Sequence, residues 1–182
     1  MKKLRLSYCP TMLPYIEKIK EKNLDIEIVN GQSAAGVLSM LRNNQIDMIM
    51  IGRKAYQREL KLDVKEKRLQ NGYTLAYSQK SFILEEQLGE VAIKTYISKS
   101  IVEKDFAFLN NVEYYDSKEE CMEDFLSIPT LVDWNDFEED YQLLIPMDNN
   151  RNKLSSFRAP VIYFNKNVDD SILKSIEDIV NN

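Results

Sequence analysis

The sequence of 182 residues contains no histidine. This absence excludes Ser-His-Asp and Cys-His catalysis, and it excludes every zinc site that needs an imidazole ligand. The two cysteines, Cys9 and Cys121, are far apart and lack the spacing of metal ligands, so we interpret both as buried or half-buried thiols. Acid–base chemistry would fall to carboxylates, lysines, tyrosines or Cys9, and no paired constellation of these groups stands out. We therefore expect no metal, no cofactor and no catalytic residue.

Long apolar runs are also absent. No run is long enough to span a bilayer, and the basic start of the chain leads into a strand rather than into the apolar segment of a signal peptide. These features favour a cytoplasmic protein with no membrane insertion. A net charge of −5 argues against nucleic acid as the main partner, and a hydrophobic content of 44% is enough for a core. The length suits one large domain or two small ones.

The chain is organised around the stretch Leu24–Arg53. Its alternating apolar residues predict a strand that ends at Asn30-Gly31, and Ser33 stands at the position of a helix N-cap. A short apolar stripe then predicts a helix, and the continuous apolar run Ile46–Ile51 predicts a strand covered on both faces. Strand, helix and strand form a βαβ unit, and ligands of such sheets bind at the carboxyl edge.

The remaining elements follow from similar patterns. Leu4–Cys9 predicts a strand that leads through Pro10-Thr11 into a helix, so the opening reads βαβαβ and predicts a doubly wound sheet. The charged stretch Lys54–Asn71 is interpreted as a solvated connector. Ser117 fits the capping box of a helix that continues through Phe125 and Leu126. Further strands are predicted over 73–84 (broken at 78–80), 91–97, 112–115, 131–132, 141–145 and 161–164, and further helices over 101–109 and 172–180.

Two segments resemble the type II periplasmic solute-binding proteins. NGQSAAGVLSMLRNNQIDMIMIGR (30–53) is similar to that family's strand, Gly/Ser turn, helix and D-I-x-I pattern, and APVIYFNKNVDDSILKSIEDIV (159–180) is similar to its last strand and closing helix. The resemblance covers most of the chain. It implies an α/β fold of two lobes, each a small, mainly parallel sheet flanked by helices, with the ligand between them. Lobe one would comprise 1–81 and 156–182, and lobe two 82–155.

The chain departs from this family in several ways. It is shorter than the typical member, has no signal peptide or lipoprotein cysteine, and has a reduced second lobe. It also has no clear counterpart of the Ser-Gly-Thr loop of phosphate-binding members. These departures argue against phosphate itself as the ligand and against capture of solutes in the periplasm.

Three positions would converge at the carboxyl edge of this fold. Thr11 follows the first strand, Gln32 and Ser33 open the second helix, and Arg53 follows the third strand. A helix N-terminus favours an anion, hydroxyl groups add donors, and a guanidinium binds carboxylate, phosphate or sulfate in two places. The resemblance and these residues together predict a site for a small anion.

Tyr8 and Trp134 would wall this site, and each candidate residue has a simpler interpretation. Thr11 and Ser33 would serve as plain N-caps, and Arg53, at the exposed end of a strand, would be a solvated charge that buries little. Tyr8 would belong to the core, and Trp134 would pack a lobe against the hinge.

Three functions remain open from the sequence. The leading hypothesis is an intracellular, non-catalytic protein that binds a small anion and is related to solute receptors. The second is a cytosolic enzyme on the same fold, a transferase or lyase acting on a small anionic metabolite, although no Gly-Asn-Thr phosphoribosyl loop is present. The third is an interaction module, which only the charged connector supports. Turnover assays, ligand-induced stabilisation and pull-down experiments separate the three.

Overall fold

The chain divides into two compact units. A computed structural model describes residues 3–124, 126–152, 154, 157 and 159–182. Unit 1 comprises Met1–Gln70 and Ala159–Asn182, and unit 2 comprises Asn71–Arg158. Unit 1 is therefore assembled from two segments of the chain, whereas unit 2 is continuous.

Unit 1 alternates strands and helices, and the last strand and helix of the chain return to it. Two 3-10 turns, Pro10–Met12 and Gln57–Glu59, interrupt this alternation. The elements of unit 1 are β1 (Leu4–Tyr8), α1 (Leu13–Glu21), β2 (Ile26–Ile28), α2 (Ala34–Arg42), β3 (Met48–Ile51), β4 (Lys65–Arg68), β11 (Val161–Phe164) and α6 (Asp170–Val180).

The sheet of unit 1 has the order β2-β1-β3-β11-β4. β1 runs parallel to β2 and to β3, with Leu6 opposite Met48, whereas β11 runs antiparallel to both β3 and β4. All four residues of β3 and all four of β11 are buried, as is typical of the central strands of a sheet in an α/β protein. α2 contacts β3 and β1, and α1 contacts α6.

Two expectations for unit 1 are wrong. The sheet is mixed rather than mainly parallel, because β11 enters it antiparallel between β3 and β4. The charged stretch Lys54–Asn71 is not only a connector, because it contains the strand β4. Lys65–Arg68 has no apolar alternation, and β4 is held at the edge of the sheet by hydrogen bonds to β11.

Unit 2 is a six-stranded mixed sheet of order β6-β10-β5-β9-β7-β8. The strands β8, β7 and β9 are parallel to one another, and β5 is antiparallel to its neighbours β9 and β10. Phe106 lies in its core, with ring centroids 5.7 Å from Tyr73 and 5.0 Å from Phe157. The elements are β5 (Tyr73–Tyr77), β6 (Ser81–Leu84), α3 (Glu85–Leu88), β7 (Ile93–Thr95), α4 (Lys99–Asp105), β8 (Val112–Tyr114), α5 (Lys118–Cys121), β9 (Thr130–Asp133) and β10 (Gln142–Met147).

The boundaries between the units differ from the predicted ones. The first lies after Gln70 rather than after 81, because β5 pairs with β9 and β10 in the sheet of unit 2. The second lies between 158 and 159, whereas the predicted boundary falls at 155 and 156, which lie outside the described residues.

The predicted helix after Ser117 is shorter than expected. The Ser117 hydroxyl accepts the N–H of Glu120 at 3.2 Å, so its predicted role as N-cap is confirmed. The helix ends at Cys121, and Leu126 adopts a φ of 63°, which lies in the left-handed region and cannot continue a helix. Phe125, predicted to lie in the same helix, is outside the described residues.

The predicted α/β class, with two sheets flanked by helices, is confirmed by these elements. Within the described residues, no helix has the length and apolar character needed to cross a membrane.

Candidate ligand site at the carboxyl edge of unit 1

Three loops of unit 1 meet at one edge of its sheet. β1, β2 and β3 are parallel neighbours, so their carboxyl ends lie at the same edge. The loops that leave these ends carry Tyr8 to Thr11, Asn30 to Ser33, and Gly52 to Arg53. The structure therefore brings the predicted residues of unit 1 to one sheet edge, as the βαβ pattern indicates.

Backbone hydrogen bonds join these loops. The N–H of Cys9 donates to the carbonyl of Met50 at 3.1 Å, and the N–H of Gln32 donates to the carbonyl of Tyr8 at 3.1 Å. Gly31 lies so close to Tyr8 that an added Cβ would stand 2.8 Å from the Tyr8 carbonyl oxygen and 2.7 Å from its ring. The edge is thus preorganised, because the loop after β1 is hydrogen-bonded to β3 and to the loop after β2.

α2 begins at this edge with a side-chain cap. The Ser33 hydroxyl oxygen accepts the N–H of Gly36 at 3.1 Å, so the predicted N-cap is confirmed. A hydroxyl that accepts one bond still has a proton to donate. The N–H groups of Ala34 and Ala35 have no acceptor among the described residues. These N–H groups lie at the N-terminal end of α2, which carries a partial positive charge. This turn therefore offers several hydrogen-bond donors to an anion.

The side chains of Thr11 and Gln32 each make a hydrogen bond to a neighbouring side chain. Thr11 lies inside a 3-10 turn rather than at an N-cap, and its Oγ1 is 3.2 Å from the Sγ of Cys9. The Gln32 side-chain amide donates to the Sδ of Met40 at 3.0 Å, so this side chain folds back along α2. The Thr11 hydroxyl remains a candidate donor, whereas the Gln32 side chain must leave Met40 to reach a ligand.

Arg53 is ion-paired. Its two terminal nitrogens donate to the two carboxylate oxygens of Glu59 at 2.9 and 2.8 Å, and the side chain is 23% exposed. The expectation that Arg53 buries little is therefore wrong. The hydrogen bond from Arg53 lowers the pKa of Glu59, and the backbone N–H of Tyr56 adds to this effect. The 3-10 turn that carries Glu59 contacts α2, which places the neutral Arg53–Glu59 pair beside the helix.

The two proposed aromatic walls lie in different units. Tyr8 is half-buried at the end of β1, with its ring against Gly31. Trp134 belongs to unit 2, is 3% exposed, and donates its indole N–H to the carbonyl of Tyr73 at 2.9 Å. Its indole therefore packs and hydrogen-bonds inside unit 2.

Glu59 is the residue of this edge that the sequence does not reveal. It lies six positions after Arg53, in a segment with no periodic pattern. The only feature of the sequence that points to this pair is an acidic residue close to a basic one, and many exposed residues have such a neighbour.

Unit 2 has a polar cluster at the carboxyl ends of its own parallel strands, which sequence patterns also do not predict. The Tyr96 hydroxyl donates to Asp136 at 2.5 Å, and Lys118 donates to the other carboxylate oxygen of Asp136 at 3.1 Å. The Asp133 N–H donates to the Tyr96 oxygen at 2.9 Å. Burial, and then the bond to Asp136, raise the pKa of Tyr96, so the phenol stays protonated. These groups satisfy one another and tie together the loops after β7, β8 and β9.

Among the residues that the structure describes, no three histidine, cysteine or acidic side chains are grouped as a metal site would require. Both cysteines are buried, and burial raises the pKa of the Cys121 thiol to about 11. The hydroxyl groups of Ser33 and Thr11 and the first N–H groups of α2 give the edge of unit 1 hydrogen-bond donors for a ligand.

Comparison with known proteins gives likenesses of fold. No family model and no curated protein matches the chain. Similar solved structures include an ABC-type phosphate transport receptor from Vibrio cholerae, which is 12% identical, covers 99% of this chain and 94% of that one, and has a TM-score of 0.41. The BenM effector binding domain with its effector benzoate is 11% identical, with coverages of 98% and 90% and a TM-score of 0.41. The reduced OxyR regulatory domain from Pseudomonas aeruginosa is 12% identical, with coverages of 97% and 96% and a TM-score of 0.41.

At such identities and TM-scores, none of the likenesses carries an argument about the ligand or the activity of this chain.

Proposed function

We propose that this protein is a non-catalytic, intracellular receptor for a small anion, which binds at the carboxyl edge of unit 1. The observation that carries the proposal is the start of α2, where a capped helix offers two N–H groups and a hydroxyl at an edge fixed by backbone bonds. Helix N-termini bind anions through such N–H groups and through their partial positive charge.

The hydroxyl groups of Ser33 and Thr11 are proposed as further donors. Both lie on loops that leave parallel strands at this edge, and each hydroxyl can donate one proton. Tyr8 is proposed as a wall, because its half-buried ring lies against Gly31 in the same loop cluster. Gln32 contributes its backbone N–H to the loop structure, and its side chain joins the ligand only if it releases Met40.

Arg53 has a different role from the one that its type suggests. Both carboxylate oxygens of Glu59 accept hydrogen bonds from the guanidinium, and the negative charge of Glu59 offsets the positive charge of Arg53. Glu59 and the Lys54 carbonyl together accept three of the five N–H groups of Arg53, so Arg53 positions the loop after β3 and can offer its remaining N–H groups to an anion. Trp134 has no role in binding the anion and packs inside unit 2.

The decisive variant is Ser33→Asp. Aspartate is a good N-cap and suits the helix dipole, so we expect α2 and the fold to be preserved. The added carboxylate would repel an anion at the same place, and we expect binding to weaken by about tenfold or more. The matched control is Ser117→Asp, at the N-cap of α5 in unit 2, where the serine accepts a backbone N–H in the same way.

The measurement is thermal stabilisation and calorimetric titration with phosphate, sulfate, other oxyanions, small carboxylates and amino acids. A ligand at one hundred times its dissociation constant should stabilise the native state by about 2.7 kcal/mol. We expect one anion to stabilise the wild type and the Ser117→Asp control, but not Ser33→Asp. Equal binding by all three proteins would place the site elsewhere, and the absence of any stabilising anion would overturn the proposal.

A further inference from the structure

A cavity lies at the edge of the unit 1 sheet opposite the proposed anion site. Its volume is about 210 Å³. One wall is the turn that precedes β3, a second is the loop that precedes β4, and a third is the loop that follows β11. These loops meet because β11 runs antiparallel to both β3 and β4. The lining residues are Asn44, Asp47, Lys61, Asp63, Asn165, Lys166 and Asn167.

Several of these groups already have partners in the protein. Asp47 accepts the backbone N–H of Arg5 at 2.8 Å and the side-chain amide of Asn167 at 3.2 Å. Lys61 donates to the side-chain oxygen of Asn44. These hydrogen bonds hold the walls of the cavity in place. Other polar groups of the lining, on Asp63, Asn165 and Lys166, can contact a ligand.

Asn165 contributes a buried acceptor that has no donor. Its amide nitrogen donates to the carbonyl of Ile46 at 3.1 Å, and its backbone N–H donates to the carbonyl of Asp47 at 2.9 Å. Its Oδ1 atom is buried and accepts no hydrogen bond from any described residue. Because a buried acceptor without a donor is costly, this oxygen calls for a donor that the protein does not supply.

The charges around the cavity are balanced. Two lysines, Lys61 and Lys166, and two aspartates, Asp47 and Asp63, line the cavity. Within the described residues, Asp63 and Lys166 have no hydrogen bond or ion pair. One free charge of each sign, together with the unused Asn165 oxygen, suits a molecule that carries both an ammonium and a carboxylate.

We propose that this cavity is a binding site for a small zwitterion, of the class of α-amino acids with a small side chain. The carboxylate of the ligand contacts Lys166, and its ammonium donates to Asp63 and, after a small shift of the Asn165 side chain that exposes the buried oxygen, to Asn165 Oδ1. The site is separate from the proposed anion site, because it lies at the amino end of β3 and not at its carboxyl end.

The test is a titration of the wild-type protein with glycine, followed by NMR. We expect saturable shifts of the backbone amides of 61–63 and 165–167, with a dissociation constant on the order of 1 mM for so small a ligand. Glycine betaine is the matched probe, because it keeps both charges and lacks the N–H donors. We expect it to bind at least about tenfold more weakly than glycine.

The variants Asp63→Asn and Lys166→Gln change exposed side chains and should preserve the fold. Each should weaken glycine binding by about tenfold, whereas the exposed control Asp140→Asn in unit 2 should leave it unchanged. Ser33→Asp should also leave it unchanged, which separates this test from that of the anion site. The proposal is overturned if glycine causes no saturable shifts at these loops, if betaine binds as well as glycine, or if neither variant weakens binding, in which case water alone fills the cavity.

Discussion

The contact between Arg53 and Glu59 is the strongest residue-scale feature of the candidate edge. It is bidentate, both side chains are less than one quarter exposed, and Glu59 also accepts the N–H of Tyr56. Bidentate, partly buried pairs contribute more than exposed ones, which are worth little. The pair therefore anchors the loop after β3, and we expect Arg53→Ala to lower the stability of the fold.

Glu59→Gln tests the pair through its pH dependence. The pKa of Glu59 is lowered in the folded state, chiefly by the hydrogen bond from Arg53. Its stabilisation is therefore fully present above the unfolded value of about 4.3 and is lost as the pH falls through the lower folded value. We expect Glu59→Gln to reduce the free energy of unfolding by about 1–2 kcal/mol at neutral pH and by much less at about pH 3. Urea unfolding at both pH values measures this, with Glu86→Gln as the exposed control. A loss of equal size at both pH values would contradict this account.

At the scale of elements, the turn before α2 and the first turn of α2 respond differently to an added methyl group. Gly31→Ala would place Cβ 2.8 Å from the Tyr8 carbonyl oxygen, which is already bonded to the Gln32 N–H. At Gly36 the nearest atom is the Gln32 side-chain oxygen, which can swing away. We expect Gly31→Ala to destabilise the protein by about 1–3 kcal/mol, because backbone must move. We expect Gly36→Ala to be neutral or stabilising by up to about 1 kcal/mol, because alanine favours the helix. Thermal and urea unfolding measure the stability of the two variants. Equal losses of stability would contradict a close contact between Gly31 and the Tyr8 backbone.

The elements that the sequence predicts are those whose residues carry their own signal. β2, α2 and β3 follow from apolar periodicity, and Ser33 follows from its position before an apolar stripe. β4 is charged throughout, and it is a strand only because β11 pairs with it from almost one hundred positions away. The same limit applies to the site. The Ser33 cap is local and predictable, whereas the Arg53–Glu59 pair depends on a loop conformation that no periodicity encodes.

At the scale of the whole molecule, chain order sets which segments fold together. β11 lies between β3 and β4, and all four of its residues are buried, yet it comes from the final segment of the chain. Without it, β4 has no neighbour in the sheet and the outer side of β3 is unpaired. Unit 2 needs no such contribution, because every strand of its sheet comes from one continuous segment.

This difference predicts the behaviour of three fragments. We expect residues 71–158 to fold alone, because the segment has its own sheet and core and a length typical of small domains. We expect residues 1–70 to remain largely unfolded, because they lack the central strand β11, and to fold when a peptide of residues 159–182 is added. Circular dichroism and NMR dispersion measure both outcomes. A peptide with Ile162→Asp is the control, because Ile162 is fully buried in β11 and an unpaired carboxylate there is costly. A folded 1–70 fragment without peptide, or equal rescue by the control peptide, would show that β11 is not what completes the unit 1 sheet.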